Sequence, residues 1–461
     1  MHILICMKRL RTNMTEIEKN CLVEFFNSIN EKFEYVVLRN ANELPYENFS
    51  NDIDILVDEN HFLEFEQKMN KILVSNGFER VERTSFHGIE CYTFYNIKNE
   101  IHSLKIDLFF NVQGGGVKYY DFKDIIIYKE KTENDIFVLK NEIEYFLTAL
   151  KTIAAGGKLK EKYLNNFLDS SIKETHTLYK NLKSKKLYSY LTEIKTSKKN
   201  PINIDRKSIL KEVRANNWDE SKITTILNNF NHIKNEILRS FTHNYKFVFV
   251  GPDGSGKTTL NEKLINESFI KTRAKKERFK VFHHRPHLLP MISEIFKKNK
   301  ASDKVEDYDH INNPHSGKSS NIIVSIIKLM YYTFDYTFGF LFKILPLNRQ
   351  GKFIIFDRYY YDFIVDQKRS AINIPKPIVK ILYKLFIPKP TKVYFIKVDP
   401  ITAHERKKEL SVAAIEVINN EYTILTREFT NFKMIENNDL DKAYYELLED
   451  FIISTSTKVK I

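Results

Sequence analysis

The stretch that decides the fold runs Lys246-Phe-Val-Phe-Val250 and continues as Gly251-Pro-Asp-Gly-Ser-Gly256-Lys257-Thr258. The largely apolar run predicts a buried strand, and the eight residues after it match the pattern G-x-x-x-x-G-K-[ST]. Glycines let the backbone curl until several N–H groups and the start of the next helix point at one phosphate group. The stretch therefore predicts a strand, a phosphate-binding loop and a helix.

This loop predicts a nucleotide site that uses ATP and Mg²⁺. We expect Lys257 to reach the β- and γ-phosphates and the Thr258 hydroxyl to ligate Mg²⁺. The candidate nucleotide-binding residues are Gly251, Asp253, Gly254, Ser255, Gly256, Lys257, Thr258 and Thr259. The loop by itself does not distinguish a kinase from an ATPase or a GTPase.

The chain that follows the loop predicts an α/β fold. Further strand-like runs occur at Phe353–Phe356 and Val393–Val398, with helical stretches between them. Strands that alternate with helices indicate a parallel sheet with flanking helices. We therefore expect residues 243–461 to form one phosphate-loop domain.

Two motifs of this region resemble the thymidylate kinase family. Gly-x-Asp-Gly-x-Gly-Lys-Thr-Thr covers residues 251–259, and Asp357-Arg358-Tyr359 is similar to the Asp-Arg-Tyr motif of that family. The resemblance implies a P-loop kinase in which Asp357 helps to organise magnesium and the acceptor phosphate and Arg358 clamps anionic oxygens. It also implies that Arg406 is a lid residue that acts in catalysis together with Lys257, Asp357 and Arg358.

The chain departs from true thymidylate kinases where the base would be read. Tyr360, Tyr361 and Asp362 follow the motif in place of the expected Ser and Gln pattern. We therefore expect an acceptor other than thymidine monophosphate, and these side chains suggest a polyhydroxylated acceptor such as a sugar or glycan intermediate.

A closer resemblance is to thymidylate-kinase-like proteins that are found with bacterial surface-polysaccharide genes and often carry a nucleotidyltransferase-like domain. The segments that carry it are Arg285–Pro290, Asn313–His315, Asp357–Asp366 and Arg406–Leu410.

Two aspartates near the N-terminus predict a second site. Asp52 and Asp54 flank Ile53 in a strand-like run, so both carboxylates lie on one strand face, and Asp107 alternates in the same way within Lys105–Phe110. Three convergent carboxylates suit Mg²⁺. The spacing resembles the nucleotidyltransferase superfamily, although Arg39-Asn40 replaces the usual Gly-Ser turn.

Three interpretations of these aspartates stay open. The domain is an active nucleotidyltransferase in which Arg39 pairs with phosphate, a binding-only relic of that fold, or an unrelated domain with ordinary strand-end aspartates.

Periodicity divides the whole chain into three regions, of which the phosphate-loop domain at 243–461 is the last. Residues 1–139 alternate strand-like and helical runs and predict a small α+β nucleotidyltransferase-like domain. Residues 140–242 are helical and rich in Lys and Asn, so we expect a helical appendix and linker before the domain at 243–461.

Charge and composition limit the partners. The formal net charge is +13, and ten Lys or Arg residues against two Glu lie between Lys271 and Lys300. This bias suits a solvated face or contacts with phosphates and lipid headgroups. No nucleic-acid recognition motif accompanies it, which argues against nucleic acid. His283, His284, His287 and His315 fit pocket or surface histidines better than a zinc site.

The localisation predicted from the sequence is cytoplasmic. The three cysteines are too few, and too irregularly spaced, for a disulfide framework. The segment from Asn321 to Pro346 is mostly apolar but charged residues interrupt it, so we expect a buried or interface-forming helical pair. A peripheral bilayer contact, a lipid-linked substrate and a homodimer stay open.

Together these observations predict an ATP- and Mg²⁺-dependent kinase that acts on a small-molecule or glycan acceptor. Two alternatives stay open: a thymidylate-like nucleoside-monophosphate kinase and an ATP-gated scaffold protein in glycan assembly.

Overall fold

A computed structural model describes residues 14–41, 43–48, 52–86, 89–114, 117–172, 176–182, 184–216, 234, 237, 245–272, 276–290 and 321–460. The chain forms two compact units. One comprises Met1–Ile233, Ile270–Arg273 and Ser456–Ile461, and the other comprises Lys234–Phe269 and Ala274–Thr455. We call them the N-terminal unit and the C-terminal unit.

The N-terminal unit is built on a mixed sheet. Its strands are β1 (Tyr35–Val37), β2 (Ile53–Val57), β3 (Arg80–Phe86), β4 (Ile89–Asn96), β5 (His102–Phe109), β6 (Asn111–Gly114), β7 (Val117–Asp121), β8 (Lys129–Lys131) and β9 (Phe137–Leu139). The spatial order is β3-β4-β5-β2-β1-β9-β8, and β6 pairs with β7 separately. The β2–β5 and β1–β9 pairs are parallel, whereas the other pairs are antiparallel.

Helices cover both faces of this sheet. They are α1 (Glu16–Asn30), α2 (Phe62–Ser75), α3 (Phe122–Ile126), α4 (Asn141–Ala154), α5 (Glu161–Asp169), α6 (Thr177–Lys180), α7 (Lys185–Ser197) and α8 (Arg206–Asn216), with a 3₁₀ turn at Glu59–His61. Ile53, Ile55 and Val57 pack against α1 and α2. Leu56 packs in a core with α4, α7 and α8. Alternate residues of β2 therefore pack into two different hydrophobic cores, which is why the whole strand is buried.

The helical segment is not a separate appendix. Side chains of α4 to α8 share a core with Val36, Leu56 and Phe109 of the sheet. The boundary expected near residue 139 therefore falls inside the N-terminal unit. The expected linker toward residue 242 lies mostly outside the described residues.

The C-terminal unit is built on a parallel sheet. Its strands are β10 (Lys246–Val250), β11 (Phe279–His283), β12 (Phe353–Asp357), β13 (Lys392–Lys397) and β14 (Phe432–Glu436). The spatial order is β11-β12-β10-β13-β14, with every pair parallel. Strands β10 and β12 are buried along their whole length, as expected for a parallel sheet covered on both faces.

The helices that connect these strands complete the unit. They are α9 (Lys257–Thr272), α10 (Ile322–Gly339), α11 (Leu345–Arg349), α12 (Asp362–Val365), α13 (Lys376–Phe386), α14 (Pro400–Arg406), α15 (Val412–Glu428) and α16 (Leu440–Thr455). After α16 the chain forms β15 (Thr457–Lys458), which pairs antiparallel with β3 of the N-terminal sheet. The last residues of the domain predicted at 243–461, Ser456–Ile461, therefore belong to the N-terminal unit.

The apolar segment from Asn321 to Pro346 forms α10, a π-helical turn at Phe340–Ile344 and the start of α11. Leu329 and Tyr336 are buried, whereas Ile323, Ile327 and Phe342 are exposed. Among the described residues, none of the helices has both the length and the apolar composition needed to cross a bilayer. A contact of this face with a bilayer or a second copy stays a prediction.

Candidate functional site

The phosphate-binding loop lies at the carboxyl end of the central strand β10, and α9 begins at Lys257. Gly254 and Gly256 have φ of 82° and 88°, which favour glycine. A Cβ at Gly254 would lie 2.3 Å from the Ala403 carbonyl oxygen, and one at Gly256 would lie 2.3 Å from Asn437 Nδ2. These glycines are therefore required both by their backbone angles and by close neighbours.

Lys257 is buried beneath the loop. Its Nζ donates to the carbonyl oxygens of Gly251 at 3.0 Å and Pro252 at 2.6 Å. Burial, reinforced by the positive charge of Arg358, lowers the pKa of Lys257 to about 7. An anionic ligand at the loop would favour the charged form and restore its usual protonation.

Asp253 holds two arginines together at the loop. Its Oδ1 accepts from Arg358 Nη2 at 2.6 Å, and its Oδ2 accepts from Arg369 Nη1. Burial opposes ionisation of Asp253, but the charges of Arg358, Lys257 and Arg369 outweigh it, so its pKa lies well below the ordinary value. The carboxylate is therefore a fixed anion inside the site.

Arg358 is bound by carboxylates on two sides. Its Nη1 donates to Asp362 Oδ2 at 3.0 Å, and the other oxygen of Asp362 accepts from the Tyr422 hydroxyl. Arg358 is buried and has a φ of 69°, while its backbone N–H donates to the Phe249 carbonyl. The guanidinium expected to clamp anionic oxygens is thus held by Asp253 and Asp362.

Asp357 and His283 lie side by side at the carboxyl ends of β12 and β11. The strand register pairs these two residues directly. His283 Nδ1 is 3.3 Å from Asp357 Oδ2, and Asp357 Oδ1 is buried without a hydrogen-bond partner among the described residues. Burial raises the pKa of Asp357, but His283 and Lys257 outweigh this effect and lower it overall.

These groups open onto one cavity of about 500 Å³. Arg406 at the end of α14 and Lys407 after it lie on its wall, together with Asn437, whose side chain donates to the Ser255 carbonyl at 2.8 Å. The residues that line the cavity are Asp253, Gly254, Gly256, Lys257, Thr258, Thr259, His283, Asp357, Arg358, Arg369, Arg406, Lys407, Asn437 and Leu440. The structure thus brings the candidate catalytic residues together with most of the loop.

The prediction that Tyr360, Tyr361 and Asp362 form an acceptor surface is wrong. Tyr360, Tyr361 and Asp362 are completely buried and do not line the cavity. The hydroxyls of Tyr360 and Thr333 form a hydrogen bond of 2.9 Å, and the ring of Tyr361 packs against the ring of Tyr383. The turn after Asp357 directs these side chains into the core, so they offer nothing to an acceptor.

The three aspartates of the N-terminal unit do converge. Potential ligand oxygens of Asp52, Asp54 and Asp107 lie within 4.8 Å of one another. Lys105 Nζ lies 3.2 Å from Asp52 and 3.1 Å from Asp107, and Arg39 donates to Asp54. Arg39 thus pairs with a carboxylate in this structure, where phosphate was expected to be its partner.

The cluster retains an unfilled acceptor that a cation would satisfy. Asp107 Oδ1 is buried and has no hydrogen-bond partner in the part of the chain that the structure describes. Burial, partly offset by Lys105, raises the pKa of Asp107. The donor set consists of three carboxylates, one of which supplies this buried oxygen. Such a set fits a hard divalent cation.

Sequence reasoning missed three residues near these sites. Lys105 was detectable because it is two residues before Asp107 and therefore lies on the same strand face. His283 was considered an ordinary pocket or surface histidine, and Arg369 had no assigned role. The motif at 313–315, with His315, and residues 273–275 and 291–300 of the basic stretch from Lys271 to Lys300 lie outside the described residues.

Two comparisons with known proteins find similarities to parts of the chain. Residues 211–359 match the family model described as type III restriction enzyme, res subunit. Among solved structures, the chain is similar to thymidylate kinase from Ehrlichia chaffeensis, with 17% identity and a TM-score of 0.30, over 45% of this chain and 98% of that chain. No curated protein matches the chain. The described chain is a mixed α/β protein in which a glycine-rich loop joins the central strand of a parallel sheet to a helix.

Proposed function

We propose that the C-terminal unit is an ATP- and Mg²⁺-dependent phosphotransferase whose acceptor is a molecule other than thymidine monophosphate, such as a sugar or glycan intermediate. One observation carries the proposal. One cavity is lined by the loop residues Lys257 and Thr258 together with Asp357 and Arg406. Phosphoryl transfer depends mainly on positioning and on neutralising charge, which these groups supply.

Each of these residues has a task that follows from its position. The Lys257 ammonium donates hydrogen bonds to two loop carbonyls. When ATP binds, we expect it to donate to the β- and γ-phosphate oxygens in their place. Thr258 lines the cavity, and its hydroxyl would hold Mg²⁺, which neutralises phosphate charge when bound. Arg406 and Lys407 extend the positive lining over the triphosphate.

The alternatives differ in what they transfer. A thymidylate-like kinase would phosphorylate thymidine monophosphate efficiently, with kcat/KM of about 10⁴ M⁻¹s⁻¹ or more. A hydrolase would release phosphate to water alone. An ATP-gated scaffold in glycan assembly would bind ATP without turnover. Products formed from labelled ATP separate these outcomes, and neighbouring genes would narrow the choice of acceptor.

Replacing Asp357 with Asn tests the proposed acceptor side. We expect a much larger loss in turnover than in ATP affinity, because the carboxylate faces the transferring group and does not contact the loop lysine directly. Parallel ATP titration and rate measurements check this result. Asp441→Asn, an exposed aspartate on α16 paired with Lys263, is the matched control. A collapse of ATP affinity with an unchanged saturated rate would show that Asp357 has another role.

The N-terminal unit supports a second proposed function, metal-assisted nucleotide binding of the nucleotidyltransferase type. The carrying observation is that Asp52, Asp54 and Asp107 converge, while a buried oxygen of Asp107 has no hydrogen-bond partner among the residues described. Lys105 and Arg39 already neutralise part of this charge. A bound divalent cation therefore competes with two cations of the protein itself.

Metal binding at this cluster should stabilise the full-length protein in the absence of nucleotide. Saturating Mg²⁺ or Mn²⁺ at about 100 times the dissociation constant is expected to add about 2.7 kcal/mol to the free energy of unfolding. The double variant Asp52→Asn with Asp54→Asn should lose this gain, whereas Asp135→Asn, an exposed aspartate paired with Lys131, should keep it. Thermal melting with and without the metal measures the effect.

Added nucleoside triphosphate extends the same experiment. Measured in a Lys257→Ala background, a further rise in melting temperature that depends on metal would report binding at the N-terminal cluster. A parent protein that melts identically with and without these ligands would favour the relic interpretation.

A further inference from the structure

The outer side of α10 is apolar along most of its length. Leu329 and Tyr336 pack in the core of the C-terminal unit, whereas Ile327 and Phe334, on the other side of the helix, are exposed. Ten large apolar side chains of α10 and of the π-helical turn after it are between 37% and 66% exposed: Ile322, Ile323, Val324, Ile326, Ile327, Met330, Phe334, Phe338, Leu341 and Phe342. A surface helix of a soluble domain normally carries charged and polar residues on its outer side. This side is therefore expected to have a partner other than water.

Helix α13 extends the same surface. The Thr337 hydroxyl of α10 donates to the carbonyl of Phe386, the last residue of α13, at 3.0 Å, so the two helices are neighbours. On α13, Ile378, Ile381, Leu385 and Phe386 are also about half exposed or more. Single apolar residues on a surface are common, but a group of this size marks an interaction site. We call the exposed apolar side chains of α10, the turn and α13 the apolar face.

Acidic side chains are nearly absent from the segments that carry the apolar face. Residues 321–352 and 374–392 contain nine Lys or Arg residues and a single acid, Asp335, whereas the whole chain has 72 basic and 59 acidic residues. Asp335 is completely buried and pairs with Arg285 at 2.7 Å. These two described segments therefore expose no carboxylate to a partner.

Several of the basic side chains lie at the border of the apolar face. Lys343 follows Phe342 in the turn, Lys384 precedes Leu385 in α13, and Lys389 comes soon after the helix; all three lysines are exposed. Of the other bases, Lys376, Lys380 and Lys392 pair with Glu421, Glu428 and Asp450. The border of the face is thus positively charged.

This combination of charges fits the surface of an anionic bilayer. Apolar side chains enter the boundary between headgroups and acyl chains, while lysine side chains extend toward lipid phosphates. A second copy of the chain fits less well. A two-fold pair would place the same bases near one another, and neither copy would supply an exposed acid from this face.

We propose that the apolar face binds the surface of a bilayer that contains anionic phospholipids, with α10 lying along the interface. None of the residues of the apolar face lines the cavity at the phosphate loop. The inference is therefore independent of the proposed phosphotransferase, and the failure of one leaves the other intact.

Co-sedimentation of the full-length protein with vesicles tests the inference. The probes are vesicles of phosphatidylcholine alone and vesicles of equal parts phosphatidylcholine and phosphatidylglycerol. We expect roughly 100-fold tighter binding to the anionic vesicles, because each of the three lysines near an anionic surface strengthens binding about fivefold. High salt should remove most of this preference by screening the charges.

Two variants test the two parts of the surface separately. Ile327→Glu with Phe334→Glu places acids in the middle of the apolar face and should abolish binding to both kinds of vesicle. Val417→Glu with Ile424→Glu changes two exposed apolar residues of α15 at the same spacing and should bind like the parent. Replacing Lys343, Lys384 and Lys389 together with Gln should remove the preference for anionic vesicles. Thermal melting shows whether each variant keeps its fold, and the Gln variant leaves every apolar residue in place.

Three results would overturn the inference. The parent binds neither kind of vesicle, it binds both equally well, or the variant with acids at 327 and 334 binds as well as the parent. Sedimentation equilibrium identifies the rival partner. A parent that dimerises without binding vesicles, and that the same two acids make monomeric, would assign the apolar face to a second copy of the chain.

Discussion

Replacing Lys257 with Ala is expected to lower ATP turnover by about 10²–10³-fold, as does the loss of one preorganised charged or hydrogen-bonding group in other sites. The reason is the position of the ammonium under the loop, where it can leave the carbonyls of Gly251 and Pro252 for phosphate oxygens. Because Lys257 is buried, its charge acts in a medium that screens it poorly. Initial rates of ADP formation check the prediction.

The control variant for this experiment lies on the same helix. Lys263 pairs with Asp441 on α16, so Lys263→Ala should leave turnover close to the parent value. Circular dichroism and thermal melting would show whether Lys257→Ala keeps the fold, and Lys257→Met fills more of the same volume if the alanine variant is unstable. Equal turnover in the Lys257 variants and the parent would reject the phosphate-loop assignment.

Replacing Arg358 with Ala is expected to lower the free energy of unfolding by about 3–5 kcal/mol, the usual cost of removing one partner from a buried ion pair. The guanidinium joins Asp253 and Asp362, and the latter is completely buried. Without Arg358, Asp362 retains a hydrogen bond from Tyr422 but loses its ionic partner. Urea unfolding of parent and variant measures the difference.

Two variants sharpen the interpretation of this loss. Arg358→Lys should recover only part of the stability, because a single ammonium cannot reach both carboxylates as the planar guanidinium does. Arg406→Ala removes an exposed arginine of the same unit and should change the free energy of unfolding by less than about 1 kcal/mol. If Arg358→Ala unfolds like Arg406→Ala, the buried network does not stabilise the C-terminal unit.

The partners of Arg358 in the structure differ from those that the motif implies. The Asp-Arg-Tyr resemblance implies an arginine that contacts anionic oxygens, yet here its charge is shared by two carboxylates. Arg406 and Lys407 are exposed cations that line the cavity, and Lys407 pairs with Glu409 at 2.9 Å. If the proposed phosphotransferase is correct, charge neutralisation is expected to depend more on Arg406 than on Arg358.

The sequence alone determined the local structure around the loop. It predicted β10 at the residues where it occurs, placed a helix immediately after the loop, and identified β2 from the alternation of Asp52, Ile53 and Asp54. These features depend on neighbouring residues: glycines set the loop backbone, and the period of two sets the strand faces. The same period brought Asp52 and Asp54 to one face.

Only the tertiary structure decided which distant residues complete the sites. Arg369 meets Asp253 across 116 positions of sequence, and His283 meets Asp357 because β11 lies beside β12. The turn after Asp357 likewise buries Tyr360 and Tyr361, although the sequence predicted that their aromatic faces would meet an acceptor. Strand order and the direction of a turn are set by packing of the whole core, since no local pattern states which segments will be neighbours.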